Sequence, residues 1–284
     1  MKLIDVHSHL DMKPLSEHLS LILENASSVG VKAIISNGVD PKSNRSVMAL
    51  SQQHDLIKPA FGFYPWHIPE HEDFVLDEEL DFIRSHNPVA IGEVGLDFKK
   101  SEMEHYKTLS KDFDKVKLSQ KEGFEKIISL AEKKNIPLII HSRKAELEVI
   151  EMLESSSIKK AVMHCFMGKK KLIPRIVDNG WSFSVPVVVT KLQQMQDLVN
   201  ETPLSQLLTE TDAPYLAPSY PAVKDSKIHS VGFSIGDGSS ADSPSIPVNE
   251  PANVLLSIKK IAEIKGLTEN ETADQIFMNY LKLF

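Results

Sequence analysis

The sequence predicts a (β/α)8 barrel, a TIM-barrel α/β fold formed by residues 1–284 as a single domain. Two observations carry this reading. Eight apolar, strand-like runs recur along the chain, and amphipathic stretches separate most of them. Several of the runs end in residues that bind metals, and a parallel barrel gathers such strand ends at one mouth. At 284 residues the chain has the length of an ordinary barrel. An open doubly wound sheet is the rival architecture. No G-x-G-x-x-G turn follows the first strand, which counts against its dinucleotide-binding form.

In chain order, the expected strands are Leu3–His7, Ala33–Ser36, Ile57–Gly62, Val89–Glu93, Leu138–His141, Ala161–His164, Trp181–Val185 and Leu207–Thr211. Helical patterns cover Leu15–Ser28, Leu76–Ser85, Gln120–Lys134, Ala145–Glu154, Lys170–Asp178 and Leu192–Val199. A charged insertion, Lys99–Lys117, reads as helical and should overhang the mouth. A Ser-, Gly- and Pro-rich stretch at about 218–247 reads as a long mobile loop after the eighth strand. Helices then follow over Glu250–Lys265 and Glu269–Leu283. Thr268 is placed to cap the second, with Glu271 as its capping-box partner.

Composition narrows the function classes. No apolar run approaches the roughly 18 residues of a membrane span. The N-terminus reaches Asp5 without a signal-like apolar region. A single cysteine, Cys165, forbids an intrachain disulfide and suits a reducing compartment, so a cytoplasmic location is expected; a monomer is expected as well. The net charge of −7 is not the footprint of a tight duplex binder, although cations and a few local basic groups can still hold a phosphate.

The chemistry is read from the strand ends. Leu3-Ile4-Asp5-Val6-His7-Ser8-His9 is a strand whose alternation turns His7 and His9 to one face. Later strands end at Glu93, at His141-Ser142-Arg143, at His164 and at Glu210-Thr211-Asp212. Each has a bland reading of its own. His141 or His164 is then a core histidine bonded to a carbonyl, Glu93 pairs with Arg143, and Asp212 caps the turn before Pro214. Coincidence at five strand ends out of eight favours a site instead. Four histidines and two carboxylates at the mouth would hold two divalent cations, with room for water and a substrate oxygen. Glu210, in phase with Asp212 but deeper, is expected to support a ligand. Cys165 is expected to face away as a buried apolar residue.

These motifs resemble the TatD family of metal-dependent deoxyribonucleases, within the amidohydrolase-like barrels. The resemblance rests on Asp5-Val6-His7-Ser8-His9-Leu10, Gly92-Glu93-Val94-Gly95-Leu96-Asp97, His141-Ser142-Arg143, His164-Cys165-Phe166-Met167-Gly168, Glu210-Thr211-Asp212-Ala213-Pro214-Tyr215-Leu216 and Asn249-Glu250-Pro251. It implies that His7, His9, Glu93 and Asp212 hold one metal, and that Glu93, as a bridge, holds a second with His141 and His164. The metals would be Mg, Mn or Zn, which the mixed nitrogen and oxygen donors accept.

Glu93 and Asp212 are then the catalytic carboxylates, with Asp212 orienting or deprotonating the water. The implied activity is exonuclease-like DNase cleavage of phosphodiesters. An otherwise acidic protein offers no long basic track for a duplex, so single-stranded or frayed DNA is the expected preference. Two departures from the family pattern stand out. Gly62-Phe63-Tyr64-Pro65 replaces G-x-H-P, and Val248 replaces an arginine before N-E-P. Arg143, Tyr64 and His67 are the candidate substrate contacts. The alternatives are an aminoacyl-tRNA deacylase or another ester or amide hydrolase on the same barrel, and a non-catalytic scaffold. Retention of all six ligand positions argues against the scaffold.

Overall fold

A computed structural model describes residues 1–102, 112–218 and 248–284. Its strands are β1 (Leu3–Ser8), β2 (Val31–Asn37), β3 (Ile57–Phe61), β4 (Ala90–Asp97), β5 (Leu138–Arg143), β6 (Ala161–Met163), β7 (Ser182–Val185) and β8 (Leu207–Thr209). They form one parallel sheet in sequence order. The sheet closes where the chain leaving β8 meets the end of β1. Asp212 N–H donates to the His7 carbonyl at 2.8 Å, and His9 N–H donates to the Ala213 carbonyl at 2.7 Å. Lower in the same seam, the Thr209 hydroxyl donates to the Ile4 carbonyl at 2.6 Å. The (β/α)8 barrel is therefore present, and its closure itself sets Asp212 beside the histidines of β1.

The helices are α1 (Leu19–Val29), α2 (Pro41–Gln53), α3 (Asp73–His86), α4 (Phe113–Lys134), α5 (Glu146–Glu154), α6 (Ile173–Asp178), α7 (Gln193–Glu201), α8 (Val254–Lys265) and α9 (Glu269–Leu283). They pack apolar faces on the sheet around a core that includes Val6, Ile34, Phe61, Val94, Ile140, Val162 and Phe183, all buried. The capping box of α9 forms as expected. Thr268 Oγ1 accepts from Glu271 N–H at 3.2 Å, and Glu271 Oε2 accepts from Thr268 N–H at 2.9 Å.

Several boundaries move. β4 and β5 run past Glu93 and His141 to Asp97 and Arg143, whereas β6 and β8 stop short, at Met163 and Thr209. The end of the expected insertion, from Phe113, is the start of α4. Its centre, 103–111, lies outside the described residues, as does the expected mobile loop from residue 219 to 247.

One helix, α2, is absent from the sequence reading, and it positions the site. Asp40 caps it in a capping box with Ser43, and Pro41 opens it. Its buried Asn44 clasps the end of β3: Gly62 N–H donates to Asn44 Oδ1 at 3.0 Å, and Asn44 Nδ2 donates to the Gly62 carbonyl at 2.8 Å. Held there, Gly62 lies against the backbone of Glu93. A Cβ at Gly62 would lie 2.3 Å from Glu93 N and 2.4 Å from Glu93 O. Overpacking of this kind costs about 1–3 kcal/mol or more. Gly62→Ala is expected to lower the free energy of urea unfolding by that amount and to reduce divalent-metal retention. Unchanged stability and metal content would show that the contact relaxes freely.

Candidate metal centre

Each strand delivers its polar residue by simple geometry. Along β1 the even spacing sends Asp5, His7 and, just beyond the strand, His9 to the barrel axis, all of them buried. Nε2 of His7 and Nε2 of His9 face each other at 3.2 Å. The other His9 nitrogen, Nδ1, is 2.9 Å from the Asn37 carbonyl. A carbonyl only accepts, so Nδ1 carries the proton and Nε2 presents a lone pair inward in the neutral ring.

Glu93 faces two sets of histidines at once. Its Oε2 lies 3.6 Å from His7 Nε2 and 3.5 Å from His9 Nε2. Its Oε1 lies 2.8 Å from His141 Nδ1. Opposite stands Asp212, whose Oδ1 is 3.5 Å from His7 Nε2, 3.6 Å from His9 Nε2 and 3.9 Å from His164 Nε2. His164 stacks on His7 with ring centroids 3.6 Å apart. All six expected ligand residues therefore converge. Three compact groups have donor atoms within 4.8 Å of one another: His7, His9 and Glu93; Glu93, His141 and His164; and His7, His164 and Glu210.

Glu210 supports His164, as expected. Its Oε2 is 2.7 Å from His164 Nδ1, and its Oε1 accepts the Cys165 N–H at 2.9 Å. The Ser184 hydroxyl also donates to it. The reading of Cys165 needs correction. β6 has already ended, the residue has φ +40°, and the side chain is half-buried rather than fully buried. Burial still pushes its thiol well above the ordinary range, followed by the charges of Glu210 and Asp212. It is thus a protonated, apolar-like group and not a thiolate.

The three candidate substrate contacts line, with His9, Glu93, His141, His164 and Asp212, a cavity of about 560 Å³. Arg143 is exposed at the end of β5. The Tyr64 hydroxyl donates to Asp97 Oδ2 at 3.3 Å, and His67 Nδ1 donates to the Val39 carbonyl at 2.9 Å.

Two residues appear in the motifs above without a role assigned to them. Asp97, fully buried, lies 3.2 Å from His141 Nε2 through Oδ2 and accepts Lys99 N–H at 2.9 Å through Oδ1. It orients His141 with Nδ1 toward Glu93. Continuing the β4 alternation through Glu93, Gly95 and Asp97 would have placed it beside the site. Gly95, at φ +136°, is required there, because a Cβ would lie 2.1 Å from the His141 carbonyl oxygen. Asn249 is the second. Its Nδ2 donates to the Thr211 carbonyl at 2.8 Å, and its own N–H donates to the Pro214 carbonyl at 3.1 Å. The N-E-P motif therefore clamps the turn that carries Asp212, while Val248 before it is buried.

The electrostatics favour a cation. Burial alone would lower the His9 pKa, but its contact with Asp212 and the charge of Glu93 raise it to about 9. Burial likewise opposes protonation of His164, yet Glu210 and Asp212 raise it to about 10. Burial works against charge on Glu93 and Asp212 as well. The neighbouring histidines nevertheless hold both below the usual carboxylate range. His7 moves down, through burial and the neighbouring His164 charge. Clustered carboxylates thus draw protons onto the imidazoles of His9, His164 and His141, the last against burial through Asp97 and Glu93. Inward-facing nitrogen and oxygen donors of this kind suit a divalent ion, which would displace those protons.

Comparison with known proteins agrees with this geometry. A family model described as TatD related DNase matches residues 4–284. Human "Deoxyribonuclease TATDN3" is 28% identical, covering 99% of this chain and 94% of its own length. The "Uncharacterized metal-dependent hydrolase YabD" of Bacillus subtilis is 30% identical, covering 99% of this chain and 98% of its own length. Among solved structures, the TatD homologue YJJV of Escherichia coli superimposes with a TM-score of 0.81 at 24% identity, over 99% of this chain and 97% of that one, which bears on the fold alone. On the match of the family model over nearly the whole chain, the protein belongs to the TatD-related DNase family.

Proposed function

We propose that the chain is a single-domain, monomeric, cytoplasmic deoxyribonuclease that hydrolyses phosphodiester bonds with two divalent ions. The observation that carries the reading is Glu93, whose two carboxylate oxygens face different histidine sets inside one cavity. His7, His9, Glu93 and Asp212 would hold one ion, and Glu93, His141 and His164 the other. Mg, Mn and Zn all suit these donors. When bound, such ions polarise a phosphoryl oxygen and acidify a water.

The remaining work falls to the chain. Asp212, ionised at neutral pH, accepts the proton of the attacking water. Arg143, exposed at the cavity wall, receives the phosphate. Tyr64 and His67 complete that wall, and Tyr64 reaches the leaving oxygen from its hold on Asp97. Asp97 and Glu210 keep the His141 and His164 rings in place. Membership of a family described as DNases favours a phosphodiester over the ester or amide substrates of an aminoacyl-tRNA deacylase. Among the described residues no helix is long and apolar enough to cross a membrane.

The net charge of −7 leaves little to hold a duplex. Single strands and frayed ends are therefore the preferred substrates. The test is a labelled hairpin with a single-stranded 3′ tail, incubated with Mg, Mn or Zn. The tail should shorten and digestion should stall at the stem, with activity lost in EDTA. Cuts scattered through the stem would overturn the end preference. Full activity after exhaustive demetallation would overturn the metal mechanism.

A further inference from the structure

Beside the cavity, lysines cluster over aromatic rings. Phe98 follows β4 directly, and its N–H donates to the Arg143 carbonyl at 2.8 Å. Phe113 opens α4, and both rings are half-buried. Lys117 Nζ lies 4.8 Å from the Phe113 centroid and 5.8 Å from that of Phe98. Lys121 Nζ lies 5.8 Å from Phe98, and Lys100 Nζ 5.5 Å from Phe113. An ammonium within about 6 Å of a ring face is attracted to it. These three long side chains are thereby drawn to one place instead of fanning into solvent.

The cluster is joined to the site through the backbone. Gln120, one turn after Lys117 and next in sequence to Lys121, accepts the Asp97 N–H at 2.9 Å, and the Asp97 carboxylate touches His141. A path therefore leads from His141 past Arg143 and Phe98 to α4. Its acidic partners are weak competitors. Asp114 is 2.9 Å from Lys117 but 89% exposed, and Asp112 is 3.9 Å from Lys115. Glu102, paired with Lys99, lines the cavity wall. Beyond Lys121 the surface changes sign. The groove between α4 and α5, which Lys121 itself lines, carries Glu125, Glu132, Glu148 and Glu151 and on balance would repel a polyanion.

We propose that Lys100, Lys117 and Lys121, gathered over Phe98 and Phe113, form a short track for the phosphates of a single nucleic-acid strand whose scissile phosphate lies against Arg143. The inference rests on the phosphodiesterase reading above and extends it to the path of the strand. The acidic groove ends the track, so only a few phosphates are held. That suits a single strand better than a duplex.

The test compares the wild-type chain with the triple variant Lys100→Gln, Lys117→Gln, Lys121→Gln. Two substrates are used: bis(p-nitrophenyl) phosphate, which has one phosphate, and a single-stranded oligonucleotide of about a dozen residues. The ratio of kcat/KM on the strand to kcat/KM on the small diester should fall about tenfold or more in the variant, chiefly through KM. The slope of log affinity against log salt should flatten by about 2, since each lost contact on a single strand removes about 0.7. A control triple, Lys32→Gln, Lys159→Gln, Lys160→Gln, removes equal charge at the opposite end of the barrel and should match wild type.

An active wild type whose mouth-side variant keeps the same ratio and slope overturns the track alone. Equal losses in both triple variants also overturn it, because net charge would then be the cause. A wild type inactive on both substrates with every divalent metal overturns the phosphodiesterase reading, and the track falls with it.

Discussion

Glu93→Ala is expected to lower divalent-metal content at both halves of the site and to reduce phosphodiester hydrolysis at least about a thousandfold, the equivalent of about 4 kcal/mol of transition-state stabilisation. The physical reason is its placement. Glu93 Oε2 faces His7 and His9, and Oε1 faces His141, so one truncation removes an oxygen from each group. His164→Ala is the contrasting variant. His164 lies 2.7 Å from Glu210 on one side and 3.9 Å from Asp212 on the other, and it takes no part in the group of His7, His9 and Glu93. That variant should therefore lose one ion and keep the other. Elemental analysis of both proteins, purified without chelator, checks the contrast. Normal loading in Glu93→Ala would refute the bridging role.

Metal loading should also depend on pH with a definite sign. His9 and His164 bind protons up to about 9 and about 10 in the metal-free chain. An incoming ion must displace those protons, so affinity should fall as pH falls from 9 toward 6 and binding should release protons into a weak buffer. Calorimetry in buffers of different ionisation enthalpy reads the proton count directly. Affinity independent of pH would mean that the ion binds elsewhere.

The sequence is most informative where a short-range rule reaches all the way to the site. Strand alternation places His7 and His9 on one face, and the parallel barrel carries Glu93, His141, His164 and Asp212 to the same mouth. The rule fails where an element's limits depend on its neighbours. Asp97 lies in a motif but carries no assigned role, because the expected strand ends at Glu93 whereas β4 continues through Gly95, a residue without an apolar side chain to mark a strand. Strand alternation does not apply to Cys165, because β6 stops at Met163 and the residue, at φ +40°, is half-buried against the core.

The α2 helix escaped for a different reason. Its buried face is Ser43, Asn44 and Val47, a mostly polar stripe that hydrophobic periodicity does not register. That stripe is polar because it binds the backbone at Gly62, which in turn abuts Glu93. The Asp40-Pro41 start was the available signal. Asn249 likewise acts on backbone carbonyls that only the closed barrel brings near.

Asp212→Asn separates the two roles available to that side chain. Asp212 sits at φ +58° on the turn that closes the barrel, clamped from beneath by Asn249. Burial disfavours its charge, but His164, His9 and His7 hold its carboxyl below the usual range, so it is ionised at neutral pH. An ionised carboxylate in that position can both ligate an ion and accept a proton. Asparagine keeps the size and one oxygen but removes the proton acceptor.

Loss of a general base costs about 10²–10⁴-fold in kcat. That loss is expected here even when metal is supplied in excess. If Asp212 acts only as a ligand, raising the metal concentration will restore kcat, and the defect will appear solely as weaker metal activation. Rates at saturating Mn for wild type and Asp212→Asn, with metal content measured on the same samples, decide between the two. A variant with full metal occupancy and wild-type kcat would remove Asp212 from the chemistry and leave it as a closure of the barrel seam.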